Sequence, residues 1–322
     1  MKMNYFYRLA MRLAASSLML VLLGVTAHAE PLVPGTGVRL TKVGDDFEEE
    51  DWSFVHRMPK SSEEIDGALR GPTGRSKNGR WYEGAKRGQP DYIVRVETPE
   101  GGLAGSTHAL MLRTLNSGVP GRYSYKMEQD DFVCDVNYRL RGSIPVWQEP
   151  SVVTRIYMPP IEEWENRTGC HFAFRLACTV TTTERESAGL FGSRNVTKSE
   201  PYWPGLFIDY TSASDSKEDY PTVRFRVRAN GRGGDFRGPY ITQTGWWTMG
   251  MSVTRDGMVH YYAKPGIDDL TPEDHLYSGF PYSFRAEYFK TFFFCVCNKY
   301  DGKTWSAPWI VDDSFVYVKN SR

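Results

Sequence analysis

Past residue 91 the chain is written in short runs of apolar and β-branched residues, each bounded by Gly, Pro, Asn, Asp or Ser. Runs at 92–98, 108–114, 132–140, 152–158, 170–179, 204–210, 222–229, 284–297 and 309–318 have the length and composition of strands. The clearest signal is GWWTMGMSVTRDGMVHYYAKPG, residues 245–266, where Thr254-Arg255-Asp256-Gly257 separates two aromatic-rich runs. Asp-Gly between β-formers predicts a hairpin, because glycine accepts the positive φ of a tight turn. Phe292-Phe293-Phe294 is apolar at consecutive positions, which predicts a strand covered on both faces. Helical patterns are scarce. Residues 159–166 are expected to give a turn or two, and Thr271-Pro272-Glu273-Asp274 sets an N-cap residue before a proline at the first helical position. The pattern predicts an all-β fold: a two-sheet antiparallel jelly-roll sandwich with long loops and one or two short helices. No repeat or linker divides it, so residues 30–322 are expected to form one domain.

Ahead of these runs, 38–43 alternates as a first strand and leads into Asp45-Asp46-Phe47-Glu48. Residues 59–88 lack periodicity and read as a long surface excursion, made basic by Arg70, Arg75, Arg80, Lys86 and Arg87. Residues 1–29 read as a secretory signal. Lys2, Arg8 and Arg12 precede the apolar stretch 13–25, and Ala27-His28-Ala29 supplies small residues before a cut. That stretch falls short of the ~20 residues that a spanning helix needs. The expected product is therefore exported, to periplasm, cell envelope or exterior, with no membrane span. Formal net charge is zero, which removes any global field for nucleic acid. Cys134, Cys170, Cys178, Cys295 and Cys297 are odd in number, so at least one thiol is left over in an oxidising compartment. Cys295 and Cys297, two apart in a strand, face the same way and are poorly placed to bond each other. Buried free thiols are expected, with one or two bridges as the upper limit.

Strand alternation sorts side chains onto faces. With Phe172, Phe174 and Leu176 inward, His171 and Arg175 point outward; with Val223, Phe225 and Val227 inward, Arg224, Arg226 and Arg228 do so. Arg139 is assigned to the polar face of 132–140, Arg155 shares a face with Tyr157, and His260 shares one with Tyr262. The functional expectation is a concave polar groove. Guanidinium forks match carboxylate or sulfate oxygens, and a His or Tyr beside an Arg suits proton abstraction in β-elimination. The alternative is ordinary solvated faces with Arg paired across strands. A single groove requires Arg155, Arg175, Arg226 and His260 to converge. Trp203, Trp246, Trp247 and Trp305 are candidates for a sugar-stacking surface or for core. Asp45-Asp46 and Asp312-Asp313 flank strands that would bring Asp46 and Asp313 together, an expected structural calcium site of oxygen ligands; no other cofactor is expected.

Three stretches carry a family resemblance: DDFEEEDWSF (45–54), the 245–266 hairpin and PWIVDDSFVYV (308–318). Together they resemble the concanavalin-A-like lectin/glucanase jelly rolls, a superfamily that includes laminin-G-like modules, glucanases and polysaccharide lyases. The resemblance implies that the first and last strands pair. Its enzymatic signatures are incomplete. The E-x-D-x-x-E run of the glucanases is absent, and Tyr288-Phe289-Lys290 with His260 matches the alginate-lyase pattern only in part. Asn298 to Trp305 resembles one Asp-box turn, without the repeats a propeller needs. The leading expectation is an exported carbohydrate-binding protein that recognises an acidic polysaccharide through Arg139, Arg155, Tyr157, Arg224, Arg226, Arg228 and Trp247. A lyase or glycosidase using His171, Arg175, His260 and Tyr262 is the second reading, and a structural envelope protein without a ligand the third.

Overall fold

The computed structural model describes residues 30–187 and 193–320, so the signal segment expected at 1–29 lies outside the described residues. Two large antiparallel sheets face each other in a jelly-roll sandwich. The first runs His275–Gly279, Val259–Pro265, Gly245–Val253, Pro150–Met158, Trp309–Val318, His108–Arg113, Tyr92–Glu97. Val38–Asp45 also pairs with Trp309–Val318, Val38 opposite Val318, so the first and last strands meet as the resemblance implies. Across the middle of the second sheet lie Phe236–Tyr240, Thr222–Arg228, Gly205–Thr211, Gly169–Ser187, Tyr288–Lys299 and Met127–Cys134. Trp81–Glu83, Arg75–Ser76 and Phe54–Val55 finish it at one end.

Alternation builds the core between the sheets. Phe172, Phe174, Leu176, Phe292, Phe294, Leu206, Ile208, Val223, Phe225 and Val227 point inward from the second sheet. Val152, Ile156, Met249, Met251, Tyr261, Trp309 and Val311 meet them from the first. Each large side chain removed from water contributes ~1.5–3 kcal/mol. Trp81 lies stacked on Phe132, ring centroids 4.5 Å apart. The indole N–H groups of Trp52 and Trp81 both donate to Asp45, at 3.0 and 3.1 Å. The outward face of the second sheet is not bare. Val133, Cys170, Ala173, Ala177, Phe207, Phe293, Cys295 and Cys297 form a second buried cluster there, so the Phe292–Phe294 strand is covered on both sides as expected.

The hairpin forms as read, in register from Trp247 opposite Pro265 to Val253 opposite Val259. Gly257 has φ +79°, and a Cβ there would sit 2.5 Å from the backbone N of Ala286. Conformation and space both require glycine at this turn.

Two elements differ from expectation. The run 132–140 is a strand only to Cys134; Val136–Leu140 is a short α-helix. Asp135 marks the break: its N–H donates to the Arg80 carbonyl, the last step of the pairing with Trp81–Glu83, and its carboxylate holds Arg75 at 3.0 Å. Arg141, left-handed at φ 57°, closes the helix. The run 170–179 continues to Ser187 and pairs with Ser193–Tyr202, a strand not foreseen. Its residues are mostly exposed and polar, so no hydrophobic period announced it. The 59–88 excursion is folded locally, with the one-turn helix Glu63–Asp66 held to the 84–88 turn through Glu63 N–H to Ala85 O and Glu64 N–H to Lys86 O. All five thiols are buried and free.

Candidate binding site

The outward face of the second sheet carries a recess of about 300 Å3. Its wall is three strands side by side. Gly205–Thr211 supplies Phe207, Gly169–Ser187 supplies Arg175, and Thr222–Arg228 supplies Arg226 and Arg228. Phe207 points outward because its neighbours Leu206 and Ile208 are inward. Three guanidinium groups surround its ring, with Cζ of Arg175, Arg226 and Arg228 at 5.4, 5.5 and 5.1 Å from the centroid. Such distances suit cation–π attraction. From the 59–88 excursion come Glu64, Lys86 and Arg87. Lys86 Nζ stands 4.2 Å from the Trp203 ring centroid and closes the recess on one side. A neighbouring trough of about 280 Å3 shares Lys86, Asp131, Trp203 and Phe293 with it and extends past Tyr82 and Ala177.

Each guanidinium is held in place. Arg228 makes a two-pronged contact with Asp235 at 2.7 and 3.2 Å; burial opposes its charge, but Asp235 keeps its pKa above the usual value. Arg226 reaches Asp209 at 3.3 Å and Asp235 at 3.4 Å. Arg175 donates to the Trp203 carbonyl at 3.0 Å, and its buried Nε has no hydrogen-bond partner among the described residues. Arg87 spans Glu64 and Glu128, at 3.2 and 3.3 Å. The carboxyls are weakened as counterions. Burial pushes Asp131 up against the pull of Arg175, and pushes Asp209 up against the pull of Arg226. The lining holds Lys86, Arg87, Arg175, Arg226 and Arg228 with Glu64 and Asp131, while Asp209, Asp235 and Glu128 pair with the arginines from outside it. The lining is cationic over an aromatic floor.

The four residues required for one groove do not converge. Arg175 and Arg226 share the recess; Arg155 and His260 belong to the first sheet. Arg155 is spent on Asp269 at 2.7 Å and the Ile267 carbonyl at 3.2 Å. Tyr157 packs edge-on against Trp246, centroids 5.5 Å apart. His260 is buried between Thr254 and Ser278, at 2.9 and 2.6 Å, and Tyr262 is buried with Val153 and Leu270. Trp247 is core, edge-on to Phe225, and Arg139 lies on the unforeseen helix, donating to the Lys42 carbonyl at 3.0 Å. Arg224 shares the outward face but stacks on Tyr240, its Cζ 4.1 Å from the ring centroid.

His171 is the sharpest correction. A β-bulge shifts the register between Cys170 and Phe172, one extra residue that reverses the faces upstream. Cys170 therefore points outward and His171 inward, between Trp164 and Tyr210 at 5.5 and 5.3 Å. Its Nε2–H donates to the Arg167 carbonyl at 2.8 Å, and burial lowers its pKa to about 4. It is a core histidine, and neither the recess nor the trough is lined by any histidine. Asp46 accepts from the Glu48 N–H at 3.4 Å, while burial raises Asp313, with Arg155 and Arg39 as its nearby cations. Among the described residues no three His, Cys, Asp or Glu side chains are grouped to hold a metal ion. Phe207, Tyr282 and Asp131 were missed by the sequence reading; alternation about Leu206 and Ile208 was enough to place Phe207 outward.

No protein-family model matches the chain, and no curated protein matches it. Among solved structures it is similar to a carbohydrate esterase from Shiga toxin-encoding bacteriophage phi24B, with 11% identity, TM-score 0.40, and 81% of this chain and 97% of that one covered. It is similar to a GH131 β-glucanase catalytic domain from Podospora anserina, with 13% identity, TM-score 0.35, and 76% and 79% covered. A third is an alginate lyase from Pseudomonas aeruginosa, with 8% identity, TM-score 0.32, and 73% and 86% covered. At such identity these neighbours do not reach ligand or residue roles.

Proposed function

We propose that the recess binds an acidic glycan, a polymer bearing carboxylate or sulfate groups, and that the protein does so after export. The carrying observation is the ring of Arg175, Arg226 and Arg228 around Phe207, closed by Lys86 over Trp203. Guanidinium forks supply paired donors to carboxylate or sulfate oxygens, and Phe207 and Trp203 supply flat apolar surface for sugar faces. The reading stops at binding, since no histidine lines the recess and the four residues of the lyase reading lie apart. A wider recess of about 540 Å3 beside Tyr220 and Tyr240 has Glu218 as its only charged lining residue, which suits an anion poorly.

Retention on immobilised polyuronates and sulfated polysaccharides, against neutral glucans, tests the proposal. Acidic polymers are expected to be retained and neutral ones not, with retention falling as salt rises. Arg226→Ala is expected to weaken it about tenfold, roughly 1.4 kcal/mol. Equal retention of neutral polymers, or an unchanged Arg226→Ala protein, would sink the reading. Recovery of the exported chain with Glu30 as its first residue checks the export part.

A further inference from the structure

We propose that the floor of the recess is a dithiol site, in which Cys170 is a nucleophilic thiol reached through the recess and Cys297 resolves it into a Cys170–Cys297 disulfide. The two Sγ atoms are 3.8 Å apart, on adjacent strands of the second sheet. A disulfide needs about 2.05 Å, so the sulfurs must close by a little under 2 Å, within the reach of side-chain rotation.

Access singles out one of the five cysteines. Cys170, 4% exposed, lines the recess; Cys297, 1% exposed, does not. Cys134 and Cys178 face the core between the sheets. Cys295 is fully buried and accepts from Gln129 Nε2 at 3.4 Å. The bulge before Phe172 is what turns Cys170 outward, opposite the face that regular alternation gives it.

The surroundings ease ionisation of Cys170. The Cys297 S–H donates to Cys170 Sγ and lowers its pKa; burial opposes this, and Arg226 adds to the lowering. Thiolates are the reacting form in disulfide exchange. With a small disulfide RSSR as oxidant, the Cys170 thiolate attacks one sulfur, the R–S–S–R bond breaks and RS⁻ leaves. Cys297 then gives up its proton to solvent and attacks the Cys170 sulfur, expelling the second RS⁻. Two protein thiols are oxidised, and one small disulfide is reduced to two RSH.

The cationic lining makes the entry charge-selective. Dithiodipropionate and cystamine have the same skeleton, with carboxylates on one and ammonium groups on the other. Reduced full-length protein at low ionic strength is expected to be oxidised about tenfold faster by dithiodipropionate. High salt should shrink the difference. Two equivalents of 3-mercaptopropionate should be released per chain, and peptide mapping should find Cys170 joined to Cys297. Cys297→Ser should stop at a mixed disulfide on Cys170, and Cys170→Ser should leave Cys297 unreacted. Faster or equal reaction with cystamine, an adduct or link at Cys134, Cys178 or Cys295, or reaction no faster than global unfolding would each overturn the assignment. These rates are read on the unsubstituted chain, so a poorly folding variant does not rescue the idea. The site does not depend on the ligand being a glycan; failed retention on acidic polymers leaves it standing.

Discussion

Replacing Lys60 with methionine is expected to cost about 3–5 kcal/mol of stability, read as a lower midpoint in urea unfolding at unchanged slope. Lys60 is 2% exposed, with its Nζ 2.7 Å from Asp130, 2.9 Å from Asp91 and 3.0 Å from the Asn116 carbonyl. Methionine fills the same channel without the charge, and the largely buried Asp91 carboxylate is left without its cation. The two acids are not equivalent. Burial pushes Asp130 up to about 8 against the pull of Lys60. Burial also works to raise Asp91, but Lys60 and the N–H groups of Asn116 and Leu115 outweigh it and hold it low. Asp130→Asn, which imitates a protonated carboxyl, is therefore expected to cost only about 1 kcal/mol. Equal losses from the two variants would show that Asp130 is a full counterion and that this account of the site is wrong. The cluster also matters to the recess, since Lys60 anchors the start of the excursion that ends in Lys86 and Arg87.

The second large effect is one of pH. His171 titrates at about 4 in the folded chain, lowered first by burial and then by the Arg167 guanidinium, against an ordinary 6.5. The unfolded chain thus binds a proton that the folded chain refuses. The stability attached to neutral His171 is fully present above pH 6.5 and is lost as pH falls towards 4. A shift of about 2.5 pH units corresponds to about 3 kcal/mol. His171→Phe keeps an aromatic ring between Trp164 and Tyr210 and removes the proton site. Whatever its cost at pH 7, the stability of His171→Phe relative to the parent should rise by up to about 3 kcal/mol between pH 7 and pH 4. Subtracting the two chains cancels other titrations, including that of Asp312, whose carboxyl burial raises to about 7 and whose contribution runs the opposite way. A pH-independent difference would place His171 in solvent, on the face that alternation gave it.

Much of the fold was legible because its signals are local. Asp256-Gly257 fixes a hairpin whatever surrounds it, and the runs around Phe292, Val223 and Val311 bury one face or both wherever they pair. The helix Val136–Leu140 was not legible: it begins where the pairing with Trp81–Glu83 runs out at Asp135 opposite Arg80, and sequence spacing does not show where a partner strand ends. The strand Ser193–Tyr202 carries polar residues on both faces and has no hydrophobic period to read. At the candidate site, Arg175, Arg226 and Arg228 were placed outward correctly by alternation. Which outward face each candidate joined was beyond that rule. Arg155, Tyr157, His260 and Tyr262 obey the same alternation in the other sheet, where their partners are Asp269, Trp246, Ser278 and Leu270. Lys86 and Arg87 arrive from a segment without periodicity, and only tertiary packing brings them to Trp203.

The extra residue at His171 acts on this strand as a half-period slip acts on a wave. Before it and after it the alternation is regular, but the two halves are out of phase. One strand thereby delivers a sulfur to the recess and, one position later, an imidazole to the interior, without a change of direction or a loop between them. Removing that residue would bring the halves back into phase, with the outward Cys170 directly before the inward Phe172, and would take the imidazole out of the interior. The proton-refusing site beneath the recess is therefore owed to a single inserted residue.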